Sequence, residues 1–452
     1  MKKFLIFTLF LTIFLFPSFQ QNKFKQADDS FAKQHYTKAI TQYQELIGKN
    51  PDNTYLLTQL AHSLRLINDY TGAEIWYERA INSGPVEDSV YFYYAHTLFF
   101  NQLFNDGMEQ MKKYYQINPQ DQRAKRQIEQ ERFLTRILTR PRNIFVDYLE
   151  INSKEHDFAP SYWGTEKVIF ASARETDKNS SLRNSRDGTP MFKLYQADIN
   201  GNNLENIQSL SPMINTTVHT GPACVSADGN YLYFTRNISE EPLDDEEEIN
   251  KLSIFSAFWD GENWTDIEPV PISNTNDAYS VGQPALSPDG NSLYFVSDMS
   301  DGYGETDIYR IQKRNGSWGR PENLGPTINT PGREMSPYIH SDGYLYFASD
   351  GHPTVGGLDL FSAKPSGNNF ETPLNLGTPI NSSSDDVSII IKPDGYSGFL
   401  ASNRRNGKFD DLYSFFLTRI TPSDTTAIRG IDPEDTTFWR DFEPFFEEME
   451  FK

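Results

Sequence analysis

Cysteine, positive charge and long apolar runs are all scarce in this 452-residue chain. The single cysteine, Cys224, excludes an intrachain disulfide and a cysteine-rich metal site. It lies within an apolar strand pattern and reads as a small core residue. Lys and Arg number 41 against 62 Asp and Glu, a net charge of −21. That balance argues against nucleic acid or anionic lipid as the main partner, because phosphates would be repelled. One apolar run stands out, FLIFTLFLTIFLF from Phe4 to Phe16, preceded by Lys2 and Lys3 and followed by PSFQQN. A positive end, a short apolar stretch and a polar break describe a secretory signal peptide over residues 1–20. The competing reading is an uncleaved anchor, because Phe19 fits the small-residue cleavage pattern poorly. With no cysteine near the break, a lipoprotein is not expected, and an exported, soluble mature chain is. Gly-x-Ser-x-Gly, His-Glu-x-x-His and Walker motifs are also missing.

What is present is repetition. The length predicts two to four domains, and 37% hydrophobic with 14% aromatic residues is too much for disorder. Pro51, Pro85 and Pro119 stand 34 residues apart, as do Ala39, Ala73 and Gly107, Ala27, Ala61 and Ala95, and Tyr36, Tyr70 and Phe104. Small residues let paired helices approach, an aromatic fills the turn, and proline, lacking a backbone donor, stops the second helix. These columns resemble the tetratricopeptide repeat (TPR) in three units. Residues 122–139 have helical spacing and a basic outer face, as expected of a helix capping that stack. The helical domain is thus expected over 21–140.

The second system begins with LSPDGNSLYFVSD at Leu286 and recurs as VSADGNYLYFTR at Val225, IHSDGYLYFASD at Ile339 and IKPDGYSGFLASN at Ile391. Asp accepts backbone donors within the turn, and Gly takes the left-handed conformation that closes it. A third strand comes next as DIYRI, DLFSA or DLYSF, from Asp307, Asp359 and Asp411. A fourth carries Trp264, Trp318 or Phe370 and leads to Ile-Asn-Ser/Thr or a close relative. Four short strands per unit, in five units, predict a five-bladed β-propeller over 141–418. The last unit lacks its fourth strand, while NIFVDYLEINS at Asn143 ends in Ile151-Asn152-Ser153. A clasp donated from upstream is therefore expected, and it would remove open sheet edges. The fold class expected is α plus all-β, TPR helices followed by a closed propeller.

The Ser-Pro-Asp-Gly…Leu-Tyr-Phe turn resembles the PD40 repeat of TolB-type, WD40-like propellers. With Arg333-Glu334-Met335-Ser336-Pro337 and SDMSDGYGETDIY, it is similar to PorE-like TPR–PD40 proteins of the Bacteroidota periplasm, associated with type IX secretion. The resemblance covers about residues 20–418. It implies a non-catalytic scaffold with envelope or outer-membrane partners, PorP/SprF-like proteins among them, and no cofactor. The OmpA-type domain of that family is not matched, so peptidoglycan binding is not implied. The C-terminal segment, 419–452, is acidic and carries six aromatics from Phe438 to Phe451. It is expected to dock on the propeller or on a partner.

Two sets of candidate site residues emerge. By resemblance, first helices line a concave groove, which would present Asp28, Phe31, Tyr55, Thr58, His62, Arg65, Phe92, His96, Phe99 and Phe100 to a peptide or a neighbouring protein. These aromatics could equally pack against the next domain. His62 and His96 share one repeat position, but two histidines are too few for a metal site. In the propeller, the column three residues before the first-strand proline or its equivalent reads Asp157, His219, Val281, Glu334 and Asp386, flanked by Arg333 and Asp385. This is a candidate channel ring for ligand binding or acid–base work on glycans. Hydrogen bonds to neighbouring loops explain the acidic residues as well. Asp298, Asp301, Gly304 and Asp307 invite a calcium reading, against which stands a recurring Gly-rich turn. The acidic insertion from Ser239 to Lys251 reads as a solvated loop or a contact for a basic partner.

Overall fold

The computed structural model describes residues 23–139, 144–174, 183–184, 188–238, 251–272, 279–405 and 407–417. The segment read as a signal peptide, most of the acidic insertion and the aromatic tail lie outside the described residues. By contacts the chain divides into two units.

The first unit runs to Pro119, with a short stretch ending at Thr189 grouped with it. It holds three helix pairs: α1 (23–32) with α2 (Tyr36–Ile47), α3 (Thr54–Leu66) with α4 (Tyr70–Ser83), and α5 (Asp88–Phe100) with α6 (Phe104–Ile117). Each pair turns through a left-handed residue, Gln34, Asn68 or Gln102, with φ of 60°, 62° and 65°. The next amide then reaches back five residues, His35 to Ser30, Asp69 to Leu64 and Leu103 to Leu98, so orphan carbonyls at the helix end are satisfied. The small-residue columns are the close contacts. Ala27, Ala39, Ala61, Ala73 and Ala95 are fully buried, and a Cβ on Gly107 would collide with the Phe99 ring.

The second unit begins at Gln120 and holds a five-bladed β-propeller. Blade 1 comprises Asp157–Trp163, Lys167–Ser172, Lys193–Asn200 and Asn203–Ser209. Blade 2 comprises Thr220–Val225, Tyr231–Asn237, Leu252–Trp259 and Trp264–Pro269. Blades 3 and 4 have three full strands each, Val281–Leu286, Ser292–Ser297 and Asp307–Arg314, then Glu334–Ile339, Leu345–Ser349 and Asp359–Ala363. Their outer strands are broken into two-residue pieces. Blade 5 comprises Asp386–Ile391, Ser397–Ser402 and Asp411–Leu417, completed by the upstream strand Ile144–Tyr148, which pairs Ile144 with Leu417 and Tyr148 with Tyr413. Five apolar cores lie one at each blade interface, including the one that closes blade 1 on blade 5 through Phe170, Tyr195, Phe399 and Leu412. The second strand of every blade is packed on both sides, which is why its apolar residues run without a break (Leu293 to Val296, Leu345 to Ala348).

The repeated turn works as its composition demands. Asp289 Oδ1 accepts from the Asn291 amide at 3.0 Å, Ser287 Oγ accepts from the Ser292 amide at 2.9 Å, and Gly290 sits at φ 70°. Asp228, Asp342 and Asp394 accept in the same way.

The single helix expected to cap the TPR stack over 122–139 is two short helices, and by contacts they belong to the second unit. These are α7 (Gln122–Glu129) and α8 (Glu131–Thr139). Buried Gln127 makes a two-way bond to the Thr354 backbone, donating to its carbonyl at 2.8 Å and accepting from its amide at 2.9 Å. Thr378 Oγ1 donates to the Ile137 carbonyl at 2.7 Å. Ala124, Leu134 and Ile137 are buried, and so is the whole blade-4 loop from Gly351 to Leu358. No described helix is long and apolar enough to cross a membrane.

Candidate functional site

The column expected to ring the channel is a set of loop clamps. Asp157, Glu334 and Asp386 are each 0% exposed. Each carboxylate accepts the backbone amide four residues upstream, from Ser153, Thr330 and Ser382 respectively. Glu334 also takes the hydroxyls of Thr330 and Ser349, both at 2.7 Å. Arg174 and Arg404 neutralise Asp157 and Asp386 from the equivalent place two residues past a second-strand serine, Ser172 or Ser402. In blade 4 that place is Gly351, where a Cβ would strike Thr330. Without a cation, burial pushes the Glu334 carboxyl up to about 8, although three hydrogen bonds pull the other way. His219 does not belong to this column. Strand pairing puts Thr220 opposite Arg236, as Asp157 is opposite Ser172, because blade 2 has one residue fewer before its proline. His219 instead accepts the Phe192 amide on Nδ1 at 3.1 Å and lies against the Phe192 ring. Asp385 accepts from the Leu358 amide and Asn403, and Arg333 pairs with Asp350 at 2.8 Å.

The asparagine of Ile-Asn-Ser/Thr carries the other half of the clamp. Asn215, Asn329 and Asn381 each bond both the N–H and the C=O of one third-strand residue, Leu194, Ile308 and Leu360. Asn152, from the upstream clasp, does the same to Leu412 in blade 5, at 2.7 and 2.8 Å. The repetition of the motif was the signal for this role.

The axial cavity, about 340 Å³, is lined by the first strands of all five blades. Its wall is Ser161, Pro222, Gln283, Pro337, Ser388 and their neighbours, and no Asp, Glu, His, Lys or Arg is among the lining residues. The expected acid–base ring is therefore corrected: the carboxylates are turned into the loops that join the blades. Every first strand shifts register at this level, and in blades 1, 3 and 4 the shift is at Ala159, Gln283 and Ser336 with φ of 50°, 53° and 49°, each followed by proline. Tyr162 also lines the cavity, and its buried hydroxyl has no hydrogen-bond partner among the described residues.

The residues of the calcium reading go to separate partners. Asp307 accepts the Tyr303 and Gly304 amides and Asn323, which makes it the clamp of its own Gly-rich loop. Asp298 accepts from the Ser280 amide, and Asp301 meets the Tyr309 hydroxyl at 3.4 Å. Asp359 repeats the Asp307 arrangement with Val355 and Asn375. Among the described residues, no three His, Cys, Asp or Glu side chains gather where they could hold a metal ion.

On the helical unit, the seven principal groove residues divide. Phe92, Phe99 and Phe100 of the third repeat are buried, Phe100 stacked at 3.6 Å on Tyr70 of the second. They correct the expectation of an aromatic groove wall, because α5 is packed on most of its circumference. Tyr55 is 43% exposed and donates to Asp28 at 2.8 Å, where Tyr43 also donates. His62, Arg65 and His96 are half-buried. Burial and then the Arg65 charge hold His62 down to about 3, and the Nδ1 of its neutral ring is hydrogen-bonded to the Tyr77 hydroxyl at 2.6 Å. The Arg65 guanidinium stacks over Tyr93 at 4.4 Å. Tyr43, Tyr77 and Tyr93 complete this face; Tyr43 and Tyr77 stand 34 residues apart, a repeat column that the sequence reading passed over, whereas Tyr93 has no such counterpart. Buried Thr58 and half-buried Phe31 lie at its margin.

No family model and no curated protein matches the chain. Solved structures do. The first TPR of Spaghetti (RPAP3) bound to the HSP90 peptide SRMEEVD is 16% identical over 26% of this chain and 93% of its own, with a TM-score of 0.24. The TPR2B domain of yeast Sti1 in its pHsp70 complex is 17% identical over 25% and 93%, with a TM-score of 0.22. Zg3597, a family 117 glycoside hydrolase produced by the marine bacterium Zobellia galactanivorans, is 12% identical over 66% and 97%, with a TM-score of 0.41.

Proposed function

We propose that this chain is a non-catalytic periplasmic scaffold that binds envelope proteins, as a part of or accessory to a type IX secretion or gliding apparatus. The observation that carries the reading is the fate of the carboxylates. Asp157, Glu334 and Asp386 are fully buried and spent on loop clamps, while the cavity they were expected to ring has no ionisable carboxylate or imidazole in its wall. Two repeat architectures remain, and both are rigid surfaces for protein partners. The PD40 turn and the flanking Arg-Glu-Met-Ser-Pro pattern support the envelope setting, and PorP/SprF-like outer-membrane proteins are the partners that resemblance suggests. The rival reading, a glycan-cleaving propeller, would need acid and base groups at the axis.

A photocrosslinking side chain in place of Tyr55, in the exported full-length chain, tests this. A discrete envelope protein should be captured, and Arg65→Glu should abolish the capture. Absence of any crosslink, together with glycan turnover by the purified chain, would overturn the scaffold in favour of the rival.

A further inference from the structure

Five outer strands give this propeller five sheet edges, and four of them are interrupted. In blade 1 the outer strand has Asn206 at φ 55° and an irregular register opposite Gln196 to Asp198. In blade 2 Asp266 sits at φ 50°, the register slips again, and Pro269 ends the strand. In blades 3 and 4 the outer strand is cut into two-residue pieces, with Pro321 and Pro373 in the gaps. Bulges, prolines and short pieces are the devices by which exposed edges avoid pairing with other chains. The clasp strand of blade 5 has none of them. Ile144 to Tyr148 pairs residue for residue with Leu417 to Tyr413 without a bulge, and among the described residues it ends its sheet.

The geometry of that edge is specific. Leu149 donates its amide inward to Leu412, so by the two-residue alternation Asp147 and Phe145 also bond inward, while Ile144, Val146 and Tyr148 direct their backbone groups outward. Phe145 is 50% exposed and stacks on its cross-strand partner Phe416 at 5.2 Å, an aromatic ladder that stops at the edge. Asp147 lies exposed on the same face, two residues along.

We propose that the clasp strand is a docking edge for an extended segment of a partner protein, which adds antiparallel to it as a fifth strand of blade 5. The segment carries an aromatic residue opposite Phe145 and a lysine or arginine opposite Asp147. Directly opposed residues share a face, so the aromatic continues the Phe416–Phe145 ladder and the cation meets the carboxylate. A chain of net charge −21 favours a basic segment over a second copy of itself or its own acidic tail. Outward main-chain groups supply binding, and alternate side chains supply selection. The proposal adds a second surface to the scaffold reading, and its test does not use the helical face.

The probe is acetyl-Thr-Lys-Val-Phe-Val-amide, added to the full-length chain and followed by hydrogen exchange with mass spectrometry. At ten times its Kd it should slow exchange in the 144–148 segment about tenfold, with the other four outer strands unchanged. An otherwise identical peptide with N-methyl groups on its edge-facing amides should have no effect. Val146→Pro removes an outward donor without touching the inward ladder, so it should abolish protection, and Phe145→Lys should weaken it on an intact fold. Equal protection by the N-methylated peptide, or none from either, overturns the proposal while leaving Tyr55 crosslinking as a separate result. Two other outcomes overturn the occupant. One is a dimer in light scattering that Phe145→Lys splits. The other is a 144–148 segment protected in the free chain and released on deleting 419–452.

Discussion

Asp157, Glu334 and Asp386 hold equivalent places, yet only the first and third have an arginine. Glu334 consequently keeps its proton to about pH 8 in the folded chain, against a usual value of 4.5. Between those values the folded state binds more proton than the unfolded one, so this group makes stability fall as pH rises. Glu334→Gln should flatten that limb by on the order of a few kcal/mol between pH 5 and 8, measured by urea unfolding at each pH. An unchanged slope would show that Glu334 is ionised in the fold. Buried His352 acts with the opposite sign. Burial holds it down to about 4, and its Nε2–H donates to the Ile328 carbonyl at 2.8 Å. Its contribution is complete above the ordinary histidine pKa of 6.5 and is lost as pH falls from there towards 4, so His352→Gln should make the acid limb shallower. Tyr162→Phe should raise the unfolding free energy by about 1 kcal/mol, because it removes a buried hydroxyl without a partner. Residue identity showed which carboxylates recur, but not their burial. Counting back from Pro222 landed on His219, where strand pairing has Thr220, because the register of a bulge is a tertiary property.

Elements were more legible than residues. Columns spaced by 34 residues gave the helix pairs, and the recurring Asp-Gly turn gave the blades and their number, because each repeat must satisfy the same local geometry. The clasp was readable for the same reason, since Asn152 sits in a motif whose other copies come after outer strands. Its amide should matter as much as theirs. Asn152→Ala leaves the buried Leu412 N–H without its partner and should cost about 1–3 kcal/mol in urea unfolding. A negligible loss would mean that the five-residue strand pairing suffices to close the ring. The spacing over 122–139 indicated helix, but neither the break at Gln130 nor what the two pieces cover. An amphipathic face states that something is buried, not against which neighbour, and the deciding contact is a single uncharged side chain, Gln127.

At the scale of the molecule, the unit boundary at Gln120 makes α7 and α8 part of the propeller's stability. The blade-4 loop from Gly351 to Leu358 is buried throughout and contains Thr354, whose N–H and C=O both go to Gln127. It also contains the amide that caps Asp359, a fully buried carboxyl whose proton affinity is raised, chiefly by desolvation. Uncovering this loop would admit water to that carboxyl and expose the loop's own apolar side chains, Val355 and Leu358, now buried. A fragment starting at Gln120 should therefore unfold in one transition at the midpoint of the propeller within the whole chain. A fragment starting at Ile144 keeps the clasp and all five blades but should unfold at a clearly lower midpoint. Gln127→Ala in the full chain should lower the same transition by roughly 2–4 kcal/mol, since two buried backbone groups lose their partner. The transition of the helical repeats should not move in either case. If the two fragments melt together, the short helices contribute nothing to the ring, and the unit boundary would belong after them, at the start of the clasp.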